Sequence, residues 1–217
     1  MTASKRRFVL AAVAALLCGW SRAAAGQRGG VTLGANLGYS RSDVAGADAR
    51  QVESRTATLA GAFVRIPFAD WISLQPEVLF SRKGGTTTAT LPAQSTPSSL
   101  DFEFVYLEIP FLLRLRTPAI GHAIRPMAFG GAAAGFDIGC DINITQSAAR
   151  VRGSCQDAGL HTTSVDFSAV AGGGFEIQLG NSFLGIEARY SASLRPVFEN
   201  NLDLKNRQFG LLLEVPF

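Results

Sequence analysis

Histidine is the side chain that most often moves protons in enzymes, and this chain of 217 residues has two, His122 and His161. His161 is followed closely by Ser164 and Asp166, and a histidine beside a serine and an acid is the set that a hydrolase uses. Ser164 and Asp166 share one face of an extended chain, so they meet His161 only where the chain bends. We expect no catalytic residue, and a hydrolase centred on His161 is kept as an alternative.

The run Gly172-Gly173-Gly174 has the composition of a phosphate-binding loop. Such loops lead into a helix and carry a Lys-Ser or Lys-Thr pair, and neither follows here. Glycine inside a strand more often permits tight coiling or makes room for an aromatic neighbour. The two distant histidines offer no metal-ligand set either, so we expect no cofactor and no metal.

Glutamate and arginine recur at alternate positions of segments that are otherwise apolar. A buried charge must be paired, so we predict that these side chains form an ion network inside a β-barrel and fill its lumen. A narrow gated pore is the alternative. The predicted network comprises Glu77, Glu108, Arg114, Arg116, Glu176, Glu187, Arg189 and Glu214.

Cys140 and Cys155 are separated by a short polar segment. An isolated cysteine pair in an exported protein predicts a disulfide, and two unrelated thiols are the alternative. In the chain-entropy model, closing so short a loop stabilises the fold by roughly 3 kcal/mol.

Residues 1–25 have the features of a secretory signal peptide. Lys5, Arg6 and Arg7 are followed by an apolar run at 8–17 and by small residues at 23–25, where cleavage would occur. This segment holds four of the 20 basic residues and none of the 17 acids, so the remaining chain, 26–217, has one more acid than base. That balance gives no indication of nucleic-acid binding.

After residue 30, apolar and polar residues alternate with a period of two along most of the chain. This alternation predicts an all-β domain over 26–217. Each predicted strand has one apolar face and one face that carries the polar and charged groups. Eight strands are predicted, at 31–40, 55–67, 71–82, 101–116, 122–138, 165–179, 183–195 and 204–217.

The connections between these strands alternate in length. Tight turns are predicted at 68–70, 117–121 and 180–182, and longer polar loops at 43–54, 84–99, 139–162 and 196–203. This rhythm is typical of an up-and-down antiparallel barrel with turns at one rim and loops at the other.

The same alternation could belong to a soluble or a membrane barrel. A soluble barrel has its apolar side chains inside, whereas a membrane barrel has them on its outer surface. The predicted strands reach about 12 to 16 residues, enough for a tilted membrane span. The Gly/Ala-rich faces at 130–134 and 169–174 would make a poor aqueous core. We therefore predict an eight-stranded transmembrane barrel, which must be closed because lipid offers no partner for an open edge.

Six stretches, in this order and over nearly all of 26–217, resemble the outer-membrane β-barrel family of the PorT type: ISLQPEVLFSRKGG, VYLEIPFLLRLR, RPMAFGGAAAGF, VDFSAVAGGGFEI, GIEARYSASLRPV and LKNRQFGLLLEVPF. The resemblance implies a barrel in the outer membrane of a diderm, Gram-negative bacterium. We expect a monomeric, non-enzymatic protein with a structural or surface-interaction role, embedded in outer-membrane lipid. Its loops would meet an extracellular or periplasmic protein partner, and a narrow porin-like channel is the alternative function.

The chain ends on an apolar alternation that finishes in phenylalanine. It resembles the C-terminal signal that the barrel-assembly machinery recognises, which makes that machinery an expected partner. Pro216 departs from the common pattern because proline has no backbone N–H for the strand ladder. The residues of the predicted signal are Phe209, Leu211, Leu213, Val215 and Phe217.

Overall fold

The computed structural model describes residues 30–45, 52–89, 98–121, 123–146, 149–157, 163–180, 182–196 and 205–217. The predicted signal peptide at 1–25 lies outside the described residues, and so do His122 and His161. No helix in the described part of the chain has the length and apolar character needed to cross a membrane.

The described residues form nine β-strands. They are β1 Thr32–Ala45, β2 Val52–Ala69, β3 Ile72–Ala89, β4 Ser98–Arg116, β5 Ile124–Gln146, β6 Ala149–Ser154, β7 Val165–Leu179, β8 Ser182–Ser193 and β9 Lys205–Pro216.

Eight of these strands close into one antiparallel barrel, which confirms the predicted fold class. The sheet follows the order β4-β3-β2-β1-β9-β8-β7-β5-β6, and a further pairing of β4 with β5 joins its two sides. The first and last strands pair directly, with Leu37 opposite Leu213 and Tyr39 opposite Leu211. Every barrel strand therefore has a neighbour on both sides, as closure in lipid requires.

The two faces of each barrel strand differ in the direction the sequence predicts. On β9, the burial of successive residues alternates along the whole strand, with Phe209 and Leu213 exposed on the outer surface and Glu214 fully buried in the interior. Tyr106 faces inward, as its place in the alternation of β4 predicts, while Trp71 is exposed at the turn between β2 and β3. The outside of the barrel is therefore apolar and its interior polar.

Three predicted loops are partly strand, and here the sequence interpretation was wrong. In the segment 43–54, β1 continues to Ala45 and β2 begins at Val52. Residues 84–99 were predicted as loop, but β3 continues to Ala89 and β4 begins at Ser98, with Thr86 opposite Asp101. Threonine-rich segments have high β-propensity, and pairing with a neighbouring strand outweighs the local glycine signal.

The segment 139–162, predicted as one long loop, contains a hairpin. β5 runs on to Gln146 and the chain returns as β6, which adds a ninth strand beyond the barrel. Cys140 and Cys155 lie at the base of this hairpin and form the predicted disulfide, with Cα atoms 5.5 Å apart. The disulfide thus fixes the hairpin where it leaves the barrel wall.

The seam between β1 and β9 is closed by backbone contacts at short range. The N–H of Phe217 donates to the carbonyl of Leu33 at 3.0 Å, so the ladder continues past Pro216. A Cβ atom at Gly38 would lie 2.1 Å from the carbonyl oxygen of Leu211, which belongs to the backbone of the paired strand. Gly38 is therefore required by the close approach of the two strands.

We predict that Gly38→Ala destabilises the barrel by about 1–3 kcal/mol, because the added methyl group forces the closing strands apart. The loss of stability is measured by urea unfolding in lipid vesicles. The folded fraction is read from the heat-dependent shift in migration on a denaturing gel. Gly130→Ala is the matched control, since a Cβ there meets nothing closer than 3.8 Å. Equal stability of the two variants would contradict this account of the seam.

Candidate functional site: the charged barrel interior

The inward faces of six strands bring opposite charges together in the half of the barrel nearer the tight turns. β2, β4 and β8 supply arginines, and β3, β7, β8 and β9 supply glutamates. Four arginines and four glutamates are linked by ion pairs, so the cluster is balanced in charge. Its members are Arg65, Glu77, Arg114, Arg116, Glu176, Glu187, Arg189 and Glu214.

Glu214 is the centre of this cluster. Its carboxylate accepts from Arg114 at 2.7 and 2.9 Å and from Arg65 at 3.0 Å. Gln75 donates to the same carboxylate at 2.7 Å. The side chains of Glu214 and Arg114 have no solvent exposure, so each charge depends on the other for its stability.

Arg189 links the cluster across the lumen. It makes a two-pronged contact with Glu77, at 2.7 and 2.9 Å, and a third contact with Glu187 at 2.6 Å. Glu187 also accepts from Arg114 at 3.2 Å, which connects this branch to Glu214. Planar bidentate pairing of this kind holds guanidinium groups in fixed positions.

The other side of the cluster is held by Glu176 on β7. It pairs with Arg65 at 2.7 Å and with Arg116 at 3.4 Å. Arg65 also lies over the ring of Phe183, with the guanidinium carbon 4.6 Å from the ring centroid. Arg114 additionally contacts the sulfur of Met127 on β5. Strands from all around the barrel are therefore tied to one another through its interior.

The sequence interpretation missed Arg65, which belongs to the network, and Gln75, which donates hydrogen bonds to Glu77 and Glu214. β2 alternates weakly because it is rich in glycine and alanine, so its inward face was not recognised. A single arginine between apolar neighbours, in the stretch FVRIPF, was the available signal. Gln75 alternates with Glu77 on the polar face of β3 but carries no charge that would single it out.

Glu108 was predicted to join this network and lies apart from it. Its carboxylate pairs with Lys83 at 2.5 Å, nearer the rim that carries the long loops. Lys83 also lies over the ring of Tyr106, whose hydroxyl is 3.4 Å from Asn206. The interior thus contains a second, smaller polar layer, because successive inward positions on β3 and β4 rise along the barrel.

The other candidates from the sequence, which are the serine and acid near His161 and the glycine run, have contacts that stabilise the fold or none that suggest chemistry. Asp166 accepts from Ser193 at 2.5 Å inside the barrel, whereas Ser164 is exposed. A Cβ at Gly174 would lie 2.0 Å from the carbonyl oxygen of Ile186, so the glycines of β7 permit close strand packing. Among the described residues no group of three or more metal-ligating side chains is present.

The mouth of the barrel at the rim with the long loops combines an apolar cluster with charged residues. Phe104, Tyr106, Ile142 and the half-cystine Cys155 pack together and are almost completely buried. On the rim, Arg55 contacts Asp101 at 2.7 Å and Glu103 at 2.6 Å. The charged interior therefore lies beneath an apolar layer and a partly buried group of ion pairs centred on Arg55.

Residues 21–199 match the family model described as "Outer membrane protein beta-barrel domain". The chain belongs to this family of outer-membrane β-barrels. No curated protein matches the chain.

Several solved structures are similar to this barrel at low sequence identity. Neisserial surface protein A is 10% identical, with 87% of this chain and 99% of that chain covered and a TM-score of 0.49. Ail, the attachment invasion locus protein of Yersinia pestis, is 12% identical, with 86% and 99% covered and a TM-score of 0.41. OprG from Pseudomonas aeruginosa is 10% identical, with 86% and 91% covered and a TM-score of 0.41.

We predict that Glu214→Ala lowers the free energy of unfolding by about 3–5 kcal/mol, because it leaves two buried guanidinium groups without their shared carboxylate. Urea unfolding in vesicles measures the change. Asp141→Ala is the control, since it removes a carboxylate from a solvent-exposed pair with Arg152 and is expected to leave the barrel as stable as the wild type. If the Glu214→Ala barrel were as stable as the wild type, the ion network would contribute little to the free energy of unfolding.

Proposed function

We propose that this protein is a non-conducting outer-membrane barrel with a structural or surface-interaction role, and that its interior ion network fills the lumen. The protein would be exported by the signal peptide at 1–25 and inserted in the outer membrane of a Gram-negative bacterium. Within the family, the six stretches quoted above favour the PorT type. The barrel would act as a monomer, without a cofactor and without catalysis.

The observation that carries this proposal is the burial of the central charges. Arg114, Glu187 and Glu214 have side chains with no exposure, and Arg189 has 6%. A barrel of eight strands has an interior just wide enough for side chains to fill. An ion crossing this lumen would have to displace paired charges whose attraction is strong at low dielectric.

The extracellular end supplies the surface for a partner. β5 and β6 extend beyond the barrel as a hairpin with a disulfide at its base, and Val151 on β6 is 62% exposed. A fixed, exposed hairpin loses little conformational freedom when it binds. We propose that a protein partner contacts this hairpin and the neighbouring loops. The C-terminal residues Phe209 to Phe217 would serve the barrel-assembly machinery.

Planar-bilayer recording tests the filled lumen. We expect the wild-type protein to give no unit currents, because its interior charges leave no continuous aqueous path. The double variant Glu77→Ala/Arg189→Ala removes one bidentate pair and keeps the charges balanced, and we expect it to produce small, steady unit currents.

The control is Asp141→Ala/Arg152→Ala, which removes an equally balanced pair from the exposed hairpin and is expected to stay silent. Heat-dependent gel migration verifies that each variant is folded before recording. Steady unit currents from the wild-type protein would overturn the filled-lumen proposal and favour the narrow channel.

A further inference from the structure

The disulfide between Cys140 and Cys155 lies on the lumen side of the barrel wall. Cys140 is directly opposite Phe104 on β4, and residues opposite each other in a sheet point to the same face. Phe104 shares that face with Tyr106, which faces inward. A β-bulge at Ile138 shifts the register of β5, so that even-numbered residues of this strand face inward beyond it. The two sulfur atoms therefore face the mouth of the lumen.

Side chains of the barrel wall cover this disulfide. Cys155 is 2% exposed and packs with Phe104, Tyr106 and Ile142, and Cys140 is partly buried against the same cluster. Phe104 and Tyr106 lie on β4 and Ile142 lies on β5, and these two strands pair with each other in the barrel. The cover of the sulfur atoms is therefore part of the barrel wall and exists only once its strands are assembled.

Closure of the barrel completes this cover. The hydroxyl of Tyr106 is 3.4 Å from Nδ2 of Asn206 on β9, the strand that closes the sheet against β1. Lys83 lies over the other side of the Tyr106 ring, with Nζ 5.3 Å from the centroid. Phe102 and Ile144 pack against the cluster farther along β4 and β5. The pairing that closes the sheet thus also closes the lumen side of the disulfide.

The disulfide can form by exchange with a disulfide of an oxidant. The thiolate of one cysteine attacks that disulfide, which forms a mixed disulfide and releases one thiolate of the oxidant. The second cysteine then attacks the sulfur of the first, which forms the Cys140–Cys155 bond and releases the other thiolate of the oxidant. The chain loses two electrons and two protons, and the oxidant becomes a dithiol. The mixed disulfide requires contact between the oxidant and a cysteine, which the apolar cluster of the closed barrel prevents.

The unfolded chain can bring the two cysteines together without the rest of the barrel. They are 15 residues apart, and the N–H of Cys155 donates to the carbonyl of Cys140 at 3.1 Å at the base of the β5–β6 hairpin. Hairpins form within about 1–10 μs. By contrast, β1 and β9 come from opposite ends of the chain, and pairings of such separation form slowly. The cysteines are therefore adjacent and accessible before the sheet closes.

We propose that oxidation of Cys140 and Cys155 precedes closure of the barrel, by thiol–disulfide exchange between the exported chain and an oxidant of the periplasm. The chain then enters the outer membrane with its hairpin already fixed. The periplasmic location rests on the export proposed above. The order of oxidation and closure rests only on the cover of the sulfur atoms, so it is tested separately.

Oxidation of the reduced 26–217 chain by oxidised glutathione tests this order. One sample of the reduced chain is folded into lipid vesicles without oxidant, and another is kept unfolded in urea. Alkylation of the remaining thiols with maleimide-linked polyethylene glycol then shows on a gel how much disulfide has formed with time. We expect oxidation to be at least about tenfold slower in the folded barrel, because exchange requires an accessible sulfur.

The matched control is a cysteine pair on the opposite face of the same hairpin, Asn143→Cys/Arg152→Cys in a Cys140→Ser/Cys155→Ser chain. Asn143 and Arg152 are directly opposite each other on β5 and β6, and Arg152 is exposed. We expect this pair to be oxidised at similar rates in the folded and the unfolded chain. Heat-dependent gel migration verifies that each barrel is folded.

Oxidation of the native pair in the folded barrel at the rate of the control pair would overturn the proposal, and so would an equal slowing of both pairs on folding. A reduced wild-type chain that forms no heat-modifiable barrel would support the proposal, because closure would then require the disulfide.

Discussion

The backbone of this protein can satisfy its hydrogen bonds in lipid only if the sheet has no open edge, and the other features follow from that constraint. Closing eight strands leaves a narrow interior, and the inward positions must then be filled by side chains that stabilise one another. Glu214 shows most clearly how closure of the sheet and the filling of the interior depend on each other. It lies on the strand that closes the barrel against β1, and its carboxylate holds guanidinium groups from β2 and β4.

The ion network and the lipid-facing surface are therefore two consequences of the same alternation. On β9 the positions that place Phe209 and Leu213 in lipid also place Leu212 and Glu214 in the interior. Reversing the faces of one strand would place its charged side chains in the hydrocarbon of the membrane. It would also place its apolar side chains in the lumen, beside charges that had lost their partners. The register of the sheet is consequently specified from both sides, which explains how strands rich in glycine and alanine keep a single pairing.

Most of the fold could be predicted from the sequence, because period-two alternation is strong where one face carries charges. This alternation placed Arg114, Glu187 and Glu214 on inward faces. It could not show which acid pairs with which base, because pairing across the lumen depends on the tilt of the strands in the barrel. Arg65 was missed because β2 lacks a clear alternation. The hairpin ending in β6 was missed because polar strands beyond the membrane resemble loops, and their pairing is a tertiary effect.

Thiol labelling measures most directly whether the interior is the closed, filled core described above. Ser73 has no exposure and lies inside the barrel, whereas Asp70 is exposed at the turn just before it. In the folded 26–217 chain, a water-soluble maleimide should label Asp70→Cys rapidly and leave Ser73→Cys unlabelled until urea unfolds the barrel. Labelling of folded Ser73→Cys at the rate of Asp70→Cys would contradict a filled interior.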